Sequence, residues 1–492
     1  MGGLASLAAV SCWAQAQAPQ PKMVPLVAKS KAGQGSAKMV ADTGKGVVTF
    51  NKDIAPIMFE NCSTCHRPGE VAPFSLLTYA DAKKRAKQIA LVTENHFMPP
   101  WKADEGKEKF VDAHVLSADE IAKIHQWAGA GAPEGDKADL PKAPQFTAGW
   151  QAGEPDAVFQ PSEQYDLAAE GDDVYRCFVI PTNYDTDRFV TALEVRPSNR
   201  TVVHHVIAYL DTSGKAREKD AADPGPGYTS FGGIGVTPSG TLGGWAPGLV
   251  PRLSPVGTGT LLPKGADIVL QVHYHKSGKP ETDLTKIGLH FAKWPVDKRI
   301  RNLMVINPLL RIPPGDSNVM ISAEKPVNKD ITILSVTPHM HLLGKEMKLT
   351  AKLPDGTDKK LVNVTDWDFN WQTIYGFKEP IKLPAGSQVD LAARYDNSTD
   401  NPTNPSKDPH LVTWGEQTSD EMCIAFLSYT VDSEHLTKGE DGGGVGGGLG
   451  INKGLMEMAI KLFDKDGDGK LNEEERQAAL DFWRNRGGAA PK

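Results

Sequence analysis

The chain has 492 residues, of which 40% are hydrophobic and 23% charged, with a formal net charge of −7. That length is the prior for about three domains or more, and the composition is that of soluble globular protein. The acidic balance leaves no basic footprint for nucleic acid, and no apolar run beyond the N-terminus is long enough to span a bilayer.

The opening "MGGLASLAAVSCWAQAQAPQ" reads as a secretory leader over residues 1–18 that lacks a charged front end. Ala-x-Ala spacings end at Ala16 and Ala18, and Ala16 is the better cut because Pro19 follows the other. A disordered start fits the missing charge but not these two sites. "AVSC" is a poor lipoprotein box, which disfavours lipidation at Cys12. Export to a bacterial periplasm or the extracellular space is therefore expected. Residues 19–46, rich in Lys, Gly, Ala and Ser, read as a linker.

Residues 47–135 read as helical and resemble a small cytochrome c-like unit. Asn51 is placed to cap a helix running to "ENCSTCH", "YADAKKRAKQIALVTEN" reads as a second helix, and Ser117 with Glu120 forms a capping box. "CSTCH" has the C-x-x-C-H spacing of c-type haem attachment: Cys62 and Cys65 bond the porphyrin edge and His66 is the proximal ligand. A redox dithiol or half a zinc site needs no histidine directly after the second cysteine. Met98, a thioether in the Pro-bounded loop "HFMPPW", is the favoured distal ligand, with His96 and His114 as competitors.

After a Pro/Gly-rich junction the pattern changes to short alternating runs. "DVYRCFVIP", "RFVTALEVR", "DIVLQVHYH", "TKIGLHFA", "DITILSVTPHMHL", "KLTAKLP" and "EMCIAFLSYTV" read as strands. So many strands imply two antiparallel, jelly-roll-like β-sandwiches, over residues 150–296 and 297–436. This region carries three histidine pairs: His204 with His205, His273 with His275, and His339 with His341. A lone strand histidine is usually a satisfied polar group. Three pairs in one β region are not explained that way. The i, i+2 pairs share a strand face, whereas His204 and His205 can reach one metal only where the strand is twisted or bulged. Imidazoles with a thioether, Met422, and no thiolate in the group favour copper over zinc. "HMH" also lacks the following Asp-His of zinc β-lactamase-like hydrolases.

The tether "KGEDGGGVGGGLG" places a Gly-rich linker at residues 438–450, before a helix–loop–helix over 452–487. Its "DKDGDGKLNEEE" fits a calcium loop: Asp464, Asp466 and Asp468 give carboxylates, Lys470 a backbone carbonyl, Asn472 a water-mediated contact and Glu475 the bidentate closure.

The ordered set "HH", "QVHYH", "HMHLLG" and "EMC" resembles the copper type II (ascorbate-dependent) monooxygenases, a family that includes peptidylglycine α-hydroxylating and dopamine β-monooxygenases. The resemblance spans about residues 150–436. It implies two β-sandwich subdomains, each holding one mononuclear copper and facing the other across a solvent-filled cleft. His204, His205 and His273 would hold the electron-donating copper, with His275 able to substitute for His273. His339, His341 and Met422 would hold the copper that binds O2 and faces substrate. The peptide-amidating branch grips a substrate carboxylate with an Arg and a Tyr where this chain has Thr337 and Phe426, so a C-terminal glycine peptide is not expected. Cys177 and Cys423 match halves of two family disulfides and are either free or joined to each other.

The chain thus reads as an exported haem–copper monooxygenase that hydroxylates a C–H bond of a small organic substrate with O2. Electrons would come from an external redox protein or an ascorbate-like reductant and pass through the haem. Two alternatives are a non-catalytic redox protein and a calcium-tethered binding module with a degenerate copper domain.

Overall fold

The computed structural model describes residues 46–70, 72–146, 149–230, 233–442 and 465. The leader, most of the first linker, most of the Gly-rich tether and the calcium-loop residues Asp464, Asp466, Asp468, Lys470, Asn472 and Glu475 lie outside them.

The helical unit is short turns around one apolar core. A five-residue π-helical turn, Phe50–Ile54, runs into the helix Ala55–Asn61, and Thr49 rather than Asn51 stands at its N-cap. Asn51 is buried, and its amide donates to the carbonyls of Gly135 and Asp136, tying the start of the unit to its end. The single helix expected at residues 79–95 is two, Tyr79–Lys84 and Ala86–Glu94, because Arg85 leaves helical geometry at φ −121°, ψ 11°. The helix Ala118–Gly129 has the capping box, with both Ser117 and Glu120 bonds made. Phe50, Ile54, Met58, Ile124 and Trp127 fill the core.

Two pairs of sheets follow. In the first pair, one sheet orders the strands Ala157–Phe159, Lys286–Phe291, Arg188–Arg196, Thr258–Leu262 and Lys298–Arg299. The other orders Tyr228–Thr229, Val174–Pro181, Asp267–Tyr274, Val203–Asp211 and Gly240–Trp245. Val190, Val206, Leu270 and Leu289, from both sheets, share one core. The central strand Asp267–Tyr274 is buried along its whole length, as "DIVLQVHY" suits. In the second pair, Arg301–Ile306, Ile424–Val431, Ile331–His339 and Tyr375–Leu383 form one sheet. Val319–Pro326, Gln388–Tyr395, Gly344–Lys352 and Asp358–Val364 form the other.

The helical unit is not a separate bead. Ala103, Phe110 and Ala113 belong to the core of the second sheet pair, with Trp101 packed against it. Asp104 N–H donates to the Asn363 carbonyl, Val111 N–H to that of Gly376, and Lys378 N–H to that of Lys109. At the changeover between sheet pairs, the fully buried Glu434 carboxylate accepts from both Arg299 and Arg301.

Candidate metal centre

The adjacent histidines sit on a β-bulge. Val203 lies opposite Tyr274 but His205 lies opposite His273, so the register slips by one and His204 is the extra residue. A bulge bends its strand and re-aims a side chain. Here that brings both neighbours to one point. His205 Nδ1 lies 3.2 Å from His204 Nδ1 and 3.3 Å from His273 Nδ1. One ring nitrogen from each of the three falls within 4.8 Å of the others, a spacing one metal ion can fill.

Asp173 orients this group. Its Oδ2 accepts from His273 Nε2 at 2.9 Å, which leaves the Nδ1 lone pair facing the cluster. Tyr175 stacks on the same ring with centroids 4.2 Å apart. The strand ends at Tyr274, so His275 does not substitute for His273: its exposed ring bonds the other Asp173 oxygen at 2.8 Å. Burial and neighbouring imidazoles lower His204 to about 3 and drive His205 well below its usual value. Neutral rings are what a metal requires. Burial also raises Asp173, but the bonds from His273, His275 and Thr418 overcome it and hold the carboxyl well below the usual range.

The second group lies where the strand Ile331–His339 ends. The rings of His339 and His341 are 5.2 Å apart and nearly perpendicular. His339 Nδ1 donates to Gln372 Oε1 at 2.7 Å and His341 Nδ1 to the Asp420 carbonyl at 3.1 Å, so each Nε2 is left for a ligand. Burial lowers them to about 4 and about 3. Gly344 closes this turn tightly: a Cβ there would lie 2.8 Å from Met340 Cβ. The backbone of Met422 is tied to that of His341 through Glu421. Glu421 Oε2 accepts from the backbone N–H of both His341, at 2.8 Å, and Met422, at 3.1 Å. Burial pushes the Glu421 carboxyl up to about 8 against the pull of these N–H donors.

Phe369 stands between the two groups. Its ring stacks on His204 at 4.8 Å and meets His341 edge-on at 5.7 Å. Where the resemblance implies a solvent-filled cleft, one aromatic ring touches a histidine of each group. The same stretch reaches further. Trp367 Nε1 donates to the His341 carbonyl, Gln372 holds His339, and Tyr375 packs edge-on against Trp101 at 5.1 Å.

In the helical unit, His66 Nδ1 donates to the Phe74 carbonyl at 3.2 Å, leaving Nε2 free, and Cys62 and Cys65 are both thiols. That donor set fits a c-type haem. Burial pushes the Cys62 thiol up to about 12. Met98, His96 and His114 line one cavity of about 340 Å³ with Trp101, Thr365 and Asp366. The structure thus brings the three candidate distal ligands together, in a wall that does not include Cys62, Cys65 or His66. Cys177 and Cys423 are both unpaired thiols, buried in different cores. Asp173, Phe369, Gln372 and Glu421 escaped the sequence reading. Only Glu421 carried a signal, as an acid beside the Met422 thioether just ahead of an apolar strand.

Residues 300–438 match the family described as copper type II ascorbate-dependent monooxygenase, C-terminal domain. That stretch contains His339, His341, Phe369, Gln372 and Met422. DBH-like monooxygenase protein 1 of Homo sapiens is 28% identical over 182 residues, covering 33% of this chain and 28% of that protein. The Mus musculus protein of that name is 31% identical over 110 residues, covering 22% and 16%. The Gallus gallus one is 23% identical over 290 residues, covering 52% and 44%. The chain thus spans less than half the length of these relatives. Among solved structures, the major capsid protein P2 from bacteriophage PM2 aligns over 58% of this chain and 99% of its own, at 8% identity and a TM-score of 0.25. These matches relate the chain to the copper-dependent monooxygenases.

Proposed function

We propose that this chain, which carries a copper type II ascorbate-dependent monooxygenase C-terminal domain at residues 300–438, is a copper-dependent monooxygenase hydroxylating a C–H bond of a small organic substrate. One observation supports it above the rest: two histidine groups of different donor type, one on each sheet pair, meet on the ring of Phe369. Each sheet pair is read as one β-sandwich subdomain of that family. Copper at these sites would supply one-electron redox chemistry and O2 activation, one oxygen atom entering the substrate and the other leaving as water.

The chain's own residues divide the remaining work. His204, His205 and His273 hold one ion, with Asp173 fixing the His273 tautomer. His339, His341 and Met422 hold the other, with Gln372 and the Asp420 carbonyl fixing the rings. Phe369 touches a histidine of each group and sets their separation. Thr337 and Phe426 are cross-strand partners beside this site and neither is cationic, so a substrate anchored through its carboxylate is not accommodated there.

The proposal includes a c-type haem held by Cys62, Cys65 and His66, with Met98 as distal ligand, passing electrons from an external donor to the coppers. The "CSTCH" motif supports it, as does the stretch 365–375, which touches the Met98 cavity at one end and both histidine groups beyond it. Haem retained after denaturation tests the attachment. Loss of the weak far-red sulfur-to-iron band in Met98→Ala tests the ligand. Calcium at 464–475 and export rest on their sequence patterns alone.

The test of function is isotopic. Copper-loaded protein with reductant, 18O2 and a panel of C–H substrates should yield a product with one labelled atom per O2 consumed, and Met422→Ala should yield none. Reoxidation by O2 with no labelled product across the panel favours a non-catalytic redox protein.

A further inference from the structure

Between the strands Val412–Thr413 and Ile424–Val431, residues 415–421 form a turn that closes on itself. Gly415 N–H donates to the Glu421 carbonyl at 3.2 Å, Glu421 N–H to that of Thr413 at 3.2 Å, and Asp420 N–H to that of Gln417 at 2.8 Å. The Asp420 carboxylate folds back to accept from Gln417 N–H at 3.2 Å. It lies so close over Gly415 that a Cβ there would overlap it. Asp420 and Glu421 are buried, so the turn is one braced piece.

That piece touches both histidine groups. On one side, Thr418 Oγ1 donates at 3.0 Å to Asp173 Oδ2, the same oxygen that accepts from His273. The Glu416 carbonyl accepts from the hydroxyl of Tyr175, whose ring stacks on His273. Both supports of the His273 ring are therefore held by a turn from the other sheet pair. On the other side, the Asp420 carbonyl accepts from His341 Nδ1 at 3.1 Å, and Glu421 Oε2 accepts from the backbone N–H of His341 and Met422. A link between two strands needs none of these contacts.

We propose that the turn 415–421 is a positioning element shared by the two sites, and that it couples metal binding at one to metal binding at the other. An ion that fixes His341 and Met422 fixes the turn, and through Thr418 and Glu416 it fixes the supports of His273. The shared piece is then ordered by the first ion and need not be ordered again for the second. Coupling of this kind is reciprocal, so the order of filling is immaterial. This rests on the reading that both groups hold copper.

The experiment uses the full chain and Cu(I) competition with a chromophoric chelator, with Cys62 and Cys65 blocked by haem or by alkylation so that neither takes up copper. Met422→Ala gives the affinity of the three-histidine site alone, His204→Ala that of the Met422 site alone, and wild type the constant for two ions together. The wild-type constant should exceed the product of the two single-site constants about fivefold or more. Thr418→Val combined with Tyr175→Phe keeps both shapes and the stacked ring but removes the two bonds. Measured in the same backgrounds, it should abolish the excess. Thr418→Ser retains a hydroxyl and should retain the excess, and Thr418→Val alone should lose part of it and serves if the double variant does not fold. A merely structural turn would lower the constants and leave the excess as it was. No excess in wild type overturns the proposal, as does an excess that survives in the double variant. Wild type that takes up fewer than two coppers overturns the functional reading beneath it, a distinct result.

Discussion

Asp173→Ala removes three hydrogen bonds at once: from His273 at 2.9 Å, His275 at 2.8 Å and Thr418 at 3.0 Å. The first bears on the metal directly. The His275 ring is exposed, and its pairing is worth little. The Thr418 hydroxyl donates to the same Oδ2 that accepts from His273, so it helps to aim that oxygen and ties the first sheet pair to the second. Tyr175 still stacks on His273, so the ring keeps its place but loses the partner that sets its tautomer and raises its basicity. Losses of this kind lower metal affinity about 10- to 100-fold, or about 1.4–2.7 kcal/mol. Asp173→Asn should fall between, since its one carbonyl oxygen can accept from His273 but its NH2 cannot replace the second acceptor. The assay is Cu(I) competition with a chromophoric chelator, resolved between the two sites by repeating it in a Met422→Ala background. An unchanged affinity at the three-histidine site, or an equal loss at the Met422 site, would refute the orienting role.

Phe369→Ala should broaden the copper–copper distance distribution measured by pulsed dipolar spectroscopy, because the ring touching His204 and His341 is gone; an unchanged distribution contradicts its spacer role. Phe110→Ala should destabilise the second sheet pair by about 3–5 kcal/mol in urea unfolding, since this ring is fully buried in that core although it comes from the helical unit. A loss confined to the helical unit would count against the shared core. At Glu434 burial raises the carboxyl, but the Arg301 and Arg299 bonds outweigh it and hold it down to about 2. The folded value lies below the unfolded one of about 4.3, so the stabilisation is complete above that pH and is lost as pH falls toward the folded value. Glu434→Gln should cost about 2–3 kcal/mol at neutral pH and flatten the acid limb of unfolding between those values; a parallel limb refutes this.

The candidate ligands were legible because their chemistry is scarce. Histidine pairs inside apolar strands have few other uses, and the paradox of His204 beside His205 itself demanded the bulge that the register shows. The strands were legible from alternation, as in Ile331–His339 on either side of its bulge. What orients the ligands was not. Asp173, Phe369 and Gln372 come from connecting segments, where side-chain direction follows no period. The break at Arg85 was hidden because "KKRAKQ" has strong helix propensity throughout, and propensity yields to tertiary context. Nor could any pattern show residues 101–115 entering the second core: an irregular stretch with Phe110 and Ala113 at its buried points has no periodicity to read.

That the two groups hold chemically different coppers is tested most directly by carbon monoxide, a ligand for Cu(I), on the reduced, copper-loaded protein. The three-histidine site and the softer His339–His341–Met422 site should separate, with one CO bound per two coppers. That CO should vanish in Met422→Ala and persist in His204→Ala. Two CO per chain, or equal loss of CO in both variants, would contradict two distinct mononuclear centres.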